Sequence, residues 1–363
     1  MTESSKQDDD PSTVGWDAIT TALQRLYPGQ EPKHWSTVVS YALGGRDPLD
    51  GISAYLHDDG CGAGHWHYVT FGMSELYEKT SEDKDLSGWG FEFTFRLKRE
   101  DTGEEPPLWP VSLMQNLARY VYESGNVFAS GHYLPLNGPI ALEKVTSLHA
   151  AMFIEDPELR TIETPHGKLQ FLLLVGATLD ELAAARAWNT GKLLTMMRRT
   201  NPLLITDLAR QSILAESNVA EAVVAETARE GSSSGSLAVR ELNLEVRSSL
   251  WREKRITLVL GASGVSDFQA LLRGRTAFGR VFRVVGPDAI LTIVPAEEFE
   301  CKRTKMEKNT EMRLSLTAAK ALAHALQPRR GDYHVPALPH LTVRVVPSEI
   351  RDDTGTKVIE VIG

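Results

Sequence analysis

Cysteine is almost missing from this chain: Cys61 and Cys301 are the only two in 363 residues. No disulfide framework and no four-cysteine zinc site can be built from them. Such scarcity fits a reducing compartment, so the expected location is cytoplasmic. Long apolar runs are missing too. The longest near the middle, Phe171 to Val175, is far short of the ~20 residues of a membrane span. Residues 1–12 are polar, carry Asp8-Asp9-Asp10 and hold no apolar core for a signal peptide, so they read as a disordered tail. Positive charge is in deficit, 39 basic against 48 acidic residues, for a formal charge of −9. A chain of that sign is poorly suited to displace counterions from nucleic acid or to anchor on an anionic bilayer. Phosphate cradles and nucleophile elbows are absent as well. Gly261-Ala262-Ser263-Gly264 has neither dinucleotide nor P-loop spacing and reads as a hairpin turn, and no Gly-x-Ser-x-Gly occurs.

What is present is ordinary globular material, 42% hydrophobic and 24% charged, in a length that suits two domains. Trp16, Ile19, Leu23 and Leu26 repeat at helical spacing after a Ser12 or Thr13 cap and stop at Pro28. The period then changes to two. Phe91, Phe93, Phe95 and Leu97 lie on one face of a strand, with Glu92, Thr94, Arg96 and Lys98 on the other. His65 to Phe71 and Lys168 to Val175 also read as strands, the second central because it is nearly all apolar. A helix follows Pro110 along Leu113, Leu117, Tyr120 and Val121 and ends at Gly125. Thr178 and Glu181 have capping-box spacing for another, running through Leu182 and Trp188. The pattern is α+β: two mixed domains, 13–209 and 237–363, joined by a flexible linker at 210–236 that contains Gly231-Ser232-Ser233-Ser234-Gly235-Ser236. In the second domain, strands are expected at 237–246, 256–260, 278–285, 289–294 and 341–346, with a helix near 314–326.

Two clusters invite chemistry. His65 and His67 project from the same side of a strand, with His57, Asp58 and Asp59 upstream, so a metal-dependent enzyme is one alternative. The competing reading makes them structural histidines beside a core containing Trp66 and Tyr68. Arg273, Arg275, Arg280 and Arg283 fall within eleven positions. Read as a strand, Arg273 and Arg275 share a face opposite Phe268, Ala270 and Leu272. Without interleaved aromatics this is a solvated face or a carboxylate-binding surface rather than a nucleic-acid patch.

A run of motifs carries a resemblance: Gly44-Gly45-Arg46-Asp47-Pro48-Leu49-Asp50, His65-Trp66-His67-Tyr68-Val69-Thr70-Phe71-Gly72-Met73-Ser74-Glu75-Leu76-Tyr77, Gly88 to Arg99, and Leu117-Ala118-Arg119-Tyr120-Val121. Trp188-Asn189, Leu204-Ile205-Thr206-Asp207, Leu272-Arg273-Gly274-Arg275, Gly279-Arg280-Val281-Phe282 and Ala289 to Val294 continue it. In order and spacing the chain resembles the Suppressor of fused family, with the short Gly/Ser stretch where animal members carry a long insertion. The resemblance implies a non-enzymatic, cofactor-free, monomeric negative regulator of Hedgehog signalling. Its two domains close about the linker on an extended peptide of a Gli-type transcription factor and sequester it. It also implies a groove lined by Tyr120 and Phe128 from the first domain and by Leu271 and Leu272 from the second. His132, after Ser130-Gly131, stands where animal members place an aspartate that meets a partner histidine, so a different partner is expected. With the compact linker, this points to a prokaryotic relative and to an alternative role as an immunity protein neutralising a polymorphic toxin.

Overall fold

The helical repeat at the start forms the inner face of α1 (Val14–Leu26) in the computed structural model: Ile19 and Leu23 are fully buried, and Trp16 and Leu26 pack beside them. The structure describes residues 13–39, 41–58, 64–100, 105–136, 138–249, 252–303, 308–351 and 357–363. The expected tail at 1–12, with Ser12, and also Asp59 and Cys61 lie outside the described residues. Thr13 makes no side-chain cap; its hydroxyl bonds the Asp17 carboxylate at 3.0 Å instead.

The chain divides into two compact units, Met1–Leu182 with Thr190–Ile213, and Ala183–Asn189 with Leu214–Gly363. The first is built on an eight-stranded sheet. Its strands are β1 (Lys33–Ser36), β2 (Gly51–His57), β3 (His65–Phe71), β4 (Leu86–Lys98), β5 (Tyr133–Pro135), β6 (Leu148–Glu155), β7 (Ile162–Thr164) and β8 (Gly167–Thr178). They lie in the order β1-β2-β3-β4-β8-β6-β5, with β7 also on β8, and every pair is antiparallel except β4 with β8. The near-continuous apolar run of β8 is central, as its composition requires. α2 (Trp109–Ser124) has Pro110 in its first turn and ends at Gly125 with φ 71°, the left-handed cap. Its Met114, Leu117 and Val121 pack on Phe91, Phe93, Phe95 and Leu97 of β4. α1 builds a second core with Val69, Phe71, Leu169 and Phe171. Most of the other set on β4 is buried as well: Glu92, Thr94 and Arg96 are each inaccessible to solvent, and only Lys98 at the strand end is exposed. α3 (Leu179–Ala187) opens with the Thr178 N–H on the Glu181 carboxylate at 2.9 Å and spans the boundary; α4 (Thr190–Met197) returns to the first unit.

In the second unit the sequence departs from its linker reading. The Ala- and Glu-rich stretch is a helix, α5 (Ser217–Glu230), as its high propensity favours, and Ser236–Ala238 is strand β9. Between them the Gly/Ser stretch is fastened down. The Ser232 N–H bonds the Gly274 carbonyl at 2.8 Å, and its hydroxyl bonds the Arg186 carbonyl at 2.5 Å. Gly231 has φ +66°, and a Cβ there would come within 2.3 Å of the Gly274 oxygen and the Phe278 ring. Glycine is needed here for close approach, not for looseness.

The remaining elements are β10 (Leu242–Ser249), β11 (Arg252–Gly261), α6 (Val265–Leu271), β12 (Phe282–Val285), β13 (Ile290–Pro295), β14 (Glu300–Arg303), β15 (Asn309–Leu314), α7 (Leu316–Ala325), β16 (Gly331–His334), β17 (Leu341–Val346), β18 (Ser348–Arg351) and β19 (Val358–Ile362). They form sheets β10-β11-β17-β16 and β14-β15-β13-β12-β9, plus the β18-β19 hairpin. The single strand expected at 237–246 is therefore two, in different sheets. Residues 262–264 are a 3-10 turn leading into α6 rather than a hairpin. Leu272–Thr276 continues α6 as a wide π-type turn, so Arg273 and Arg275 sit on a helix, not a strand.

Candidate functional site

α2 buries the stripe that includes Leu117 and Val121, which turns Tyr120 outward; it is 43% exposed. The chain leaves the Gly125 cap and folds back so that Phe128 is buried against Phe153, the rings stacked at 4.4 Å. Tyr120 rests 5.7 Å from the Phe128 ring, and its hydroxyl accepts from Asn126 Nδ2 at 3.2 Å. Val127 beside it is exposed. His132 lies at the surface with its ring partly enclosed, its Nδ1 accepting from the Ala129 N–H at 3.2 Å; that partial burial lowers its pKa from the ordinary imidazole value and favours the neutral ring at neutral pH. The next residues form β5, a three-residue strand at the end of the sheet, paired with β6 alone among the described residues. Tyr120, Phe128, His132 and β5 thus come together on one unit. Leu271 and Leu272 do not share that exposure: they belong to the core of the second unit, 2% and 0% accessible. Their side chains offer no surface there, because α6 and the turn that continues it direct them into the core that also holds Phe268 and Leu322.

The histidine pair lies under the sheet. Both imidazoles are buried, as their shared side of β3 permits, and they enter a polar cluster. The Tyr27 phenol, kept protonated by burial, shares a hydrogen bond with His67 Nδ1 at 2.9 Å. The His67 Nε2 faces Asp156 Oδ2 at 3.4 Å, close enough for electrostatic contact but without a formed hydrogen bond. Arg96 grips the same carboxylate with two bonds, 2.6 and 3.0 Å, and reaches Glu158 at 2.9 Å. Thr94 Oγ1 donates to Asp156 at 2.8 Å, and the N–H groups of Glu158 and Leu159 complete its shell at 2.9 Å each. Burial works against ionisation of Asp156, but His67 and Arg96 outweigh it and hold the carboxyl well below its usual range. Burial and the neighbouring Arg96 keep His67 neutral, and burial above all, with Arg96 nearby, pushes His65 down to about 3. Removing one partner of such a buried pair costs about 3–5 kcal/mol. The ring of His67 is thus committed to Tyr27 and to the Asp156–Arg96 pair, while His57 stacks on His65 at 4.8 Å. Among the described residues no group of three or more His, Cys, Asp or Glu side chains is placed to hold a metal ion.

An open cleft of about 610 Å³ lies elsewhere on the first unit, between Val145-Thr146-Ser147, His149, Thr178-Leu179-Asp180 and Leu208 to Ser212. Its walls come from segments far apart in the sequence, and no motif announced it. Among the described residues no helix is long and apolar enough to cross a membrane.

The family profile for Suppressor of fused protein matches residues 45–211, which contain Tyr120 to His132 and, apart from Tyr27, the buried cluster. The human and mouse Suppressor of fused homologs are each 41% identical over 216 residues, 56% of this chain and 44% of theirs. A chain in the crystal structure of the Sufu–Fu complex is 31% identical, with 60% of this chain and 98% of that chain covered and a TM-score of 0.54. The chain belongs to the Suppressor of fused family. The crystal structure of Drosophila Suppressor of Fused extends the fold match to both units, with 92% of this chain and 97% of that one covered, a TM-score of 0.75 and 22% identity. The chain spans somewhat under half the length of the human and mouse relatives it matches. The signature His65-Trp66-His67 of the resemblance is framework: its Trp66 packs with β4 and α2, and its histidines build the polar cluster.

Proposed function

We propose that this chain is a non-enzymatic regulator that binds an extended segment of a partner protein. The observation that carries the reading is Tyr120, exposed beside the buried Phe128–Phe153 stack, whose Phe153 lies on β6, the strand that pairs with the short terminal strand β5. An exposed edge strand accepts a further strand through backbone hydrogen bonds, and a neighbouring aromatic side chain supplies selectivity. The Sufu–Fu complex among the similar structures supports a protein partner. A neutral His132 offers no carboxylate to a cationic partner residue, which favours a segment different from the one the animal aspartate would meet.

The test is affinity capture from native lysate with the wild type, Tyr120→Ala and, as a surface control, Leu142→Ala, followed by binding measurements on the retained protein. Phe128 is left intact, since truncating a buried phenylalanine costs about 3–5 kcal/mol by itself. Tyr120→Ala is expected to weaken binding at least tenfold with an unchanged melting temperature, on the scale of an aromatic hot spot. Equal affinity of Tyr120→Ala and wild type would show that the partner docks elsewhere.

A further inference from the structure

Several arginines of the second unit face carboxylates: Arg186 meets Asp267, Arg313 meets Glu311, and Arg344 meets Asp332. Arg275 and Arg280 differ. Among the described residues neither makes an ion pair, and both donate to one neutral acceptor, the Ser232 carbonyl, at 3.0 and 3.1 Å. Arg275 is further pinned by the Val281 carbonyl at 2.6 Å, yet its Nε is buried without a hydrogen-bond partner. The Arg280 guanidinium lies 5.4 Å from the centre of the Phe278 ring.

Two cations held on the same oxygen repel each other, and a single carbonyl dipole does not neutralise them. The strain on Arg275 has that sense: burial lowers its pKa first, and the charge of Arg280 lowers it further. The support beneath is rigid. The π-type turn Leu272–Thr276 presents Arg275, and Gly274 lets Ser232 approach so closely that a Cβ would stand 3.1 Å from the Ser232 Cβ. Two guanidinium groups held side by side on one carbonyl, with no carboxylate facing either among the described residues, offer the paired positive charge that an oxyanion takes.

We propose that Arg275 and Arg280 form an oxyanion site that takes a carboxylate or a phosphate group. The site stands on one unit alone and does not rest on the strand-binding reading. It is tested by titrating the full chain with sodium phosphate, and separately with sodium acetate, at constant ionic strength, following the Arg275 Nε–H resonance by NMR. The expected result is a saturable shift with at least one anion, with the tighter arm naming the group as phosphate or carboxylate. Arg280→Gln should weaken it at least tenfold, while Arg283→Gln, which removes an exposed charge on β12, should leave it unchanged. A shift that never saturates in the wild type overturns the proposal without recourse to any variant, and so does equal weakening in both variants, which would mean bulk charge.

Discussion

Glu92 is where burial and chemistry conflict most openly. Its carboxylate is sealed under the sheet and accepts from Thr70 Oγ1 at 2.5 Å, Ser74 Oγ at 2.6 Å, and the N–H groups of Ser74 and Gly72 at 2.9 and 3.0 Å. Burial nevertheless dominates those bonds and pushes its pKa up to about 7, from 4.5. The folded state therefore holds this proton more tightly than the unfolded chain does. The resulting stabilisation is full below pH 4.5 and is lost as pH rises through 7, a contribution on the order of 3 kcal/mol. Asp156 and Glu75 run the other way. Burial opposes their ionisation, yet His67 and Arg96 for the first, and Lys79 with the Ser81, Thr80 and Gly88 N–H groups for the second, hold both below the carboxylate range. Both are ionised in the folded state throughout pH 4.5–7.5, so their slope there comes only from residual protonation of the unfolded chain near pH 4.5, and it cancels between the wild type and a Glu92 variant. Urea unfolding across that interval should show the wild type losing about 3 kcal/mol relative to Glu92→Gln. Parallel pH curves for the two proteins would refute it. Alternation in the sequence placed Glu92, Thr94 and Arg96 on one side of a strand, but nothing local said that this side is covered.

Sequence pattern and structure coincide where a periodic run stands between clear stops. The strands at 65–71 and 341–346 have the expected bounds, and α2 starts and ends at the expected proline and glycine. Two segments take a conformation that their local composition does not suggest, for one reason. Residues 231–236 have linker composition, and 273–275 have alternating polarity, yet each takes its conformation from the other: Ser232 bonds Gly274, and Arg275 bonds Ser232. Composition measures what a segment does when free, not when packed. Gly231→Ala and Gly235→Ala separate the two views. Gly231 has positive φ and a crowded Cβ direction, so alanine should lower stability by more than about 1 kcal/mol. Gly235 has open space around it, so alanine should be neutral or slightly stabilising. Thermal unfolding of both variants decides the matter, and equal small effects would restore the hinge.

For the whole molecule, a charge of −9 with a sequence pI near 5.6 sets colloidal behaviour. Precipitation by polyethylene glycol should require the least precipitant near pH 5.6 and progressively more toward pH 8, as net charge grows. A flat profile would show that patches rather than net charge govern association. The same composition, with its periods of two and 3.6, determined by itself that this is a folded α+β chain of two units, and its ordered motifs carried the family resemblance. Only the tertiary structure decided which polar residues are buried, that Asp156 closes on Arg96 across 60 positions, that Leu271 and Leu272 turn into a core while Tyr120 does not, and that Arg275 and Arg280 share one carbonyl. Periodicity is a property of neighbours along the chain, whereas burial and pairing depend on which distant segment arrives to cover a face.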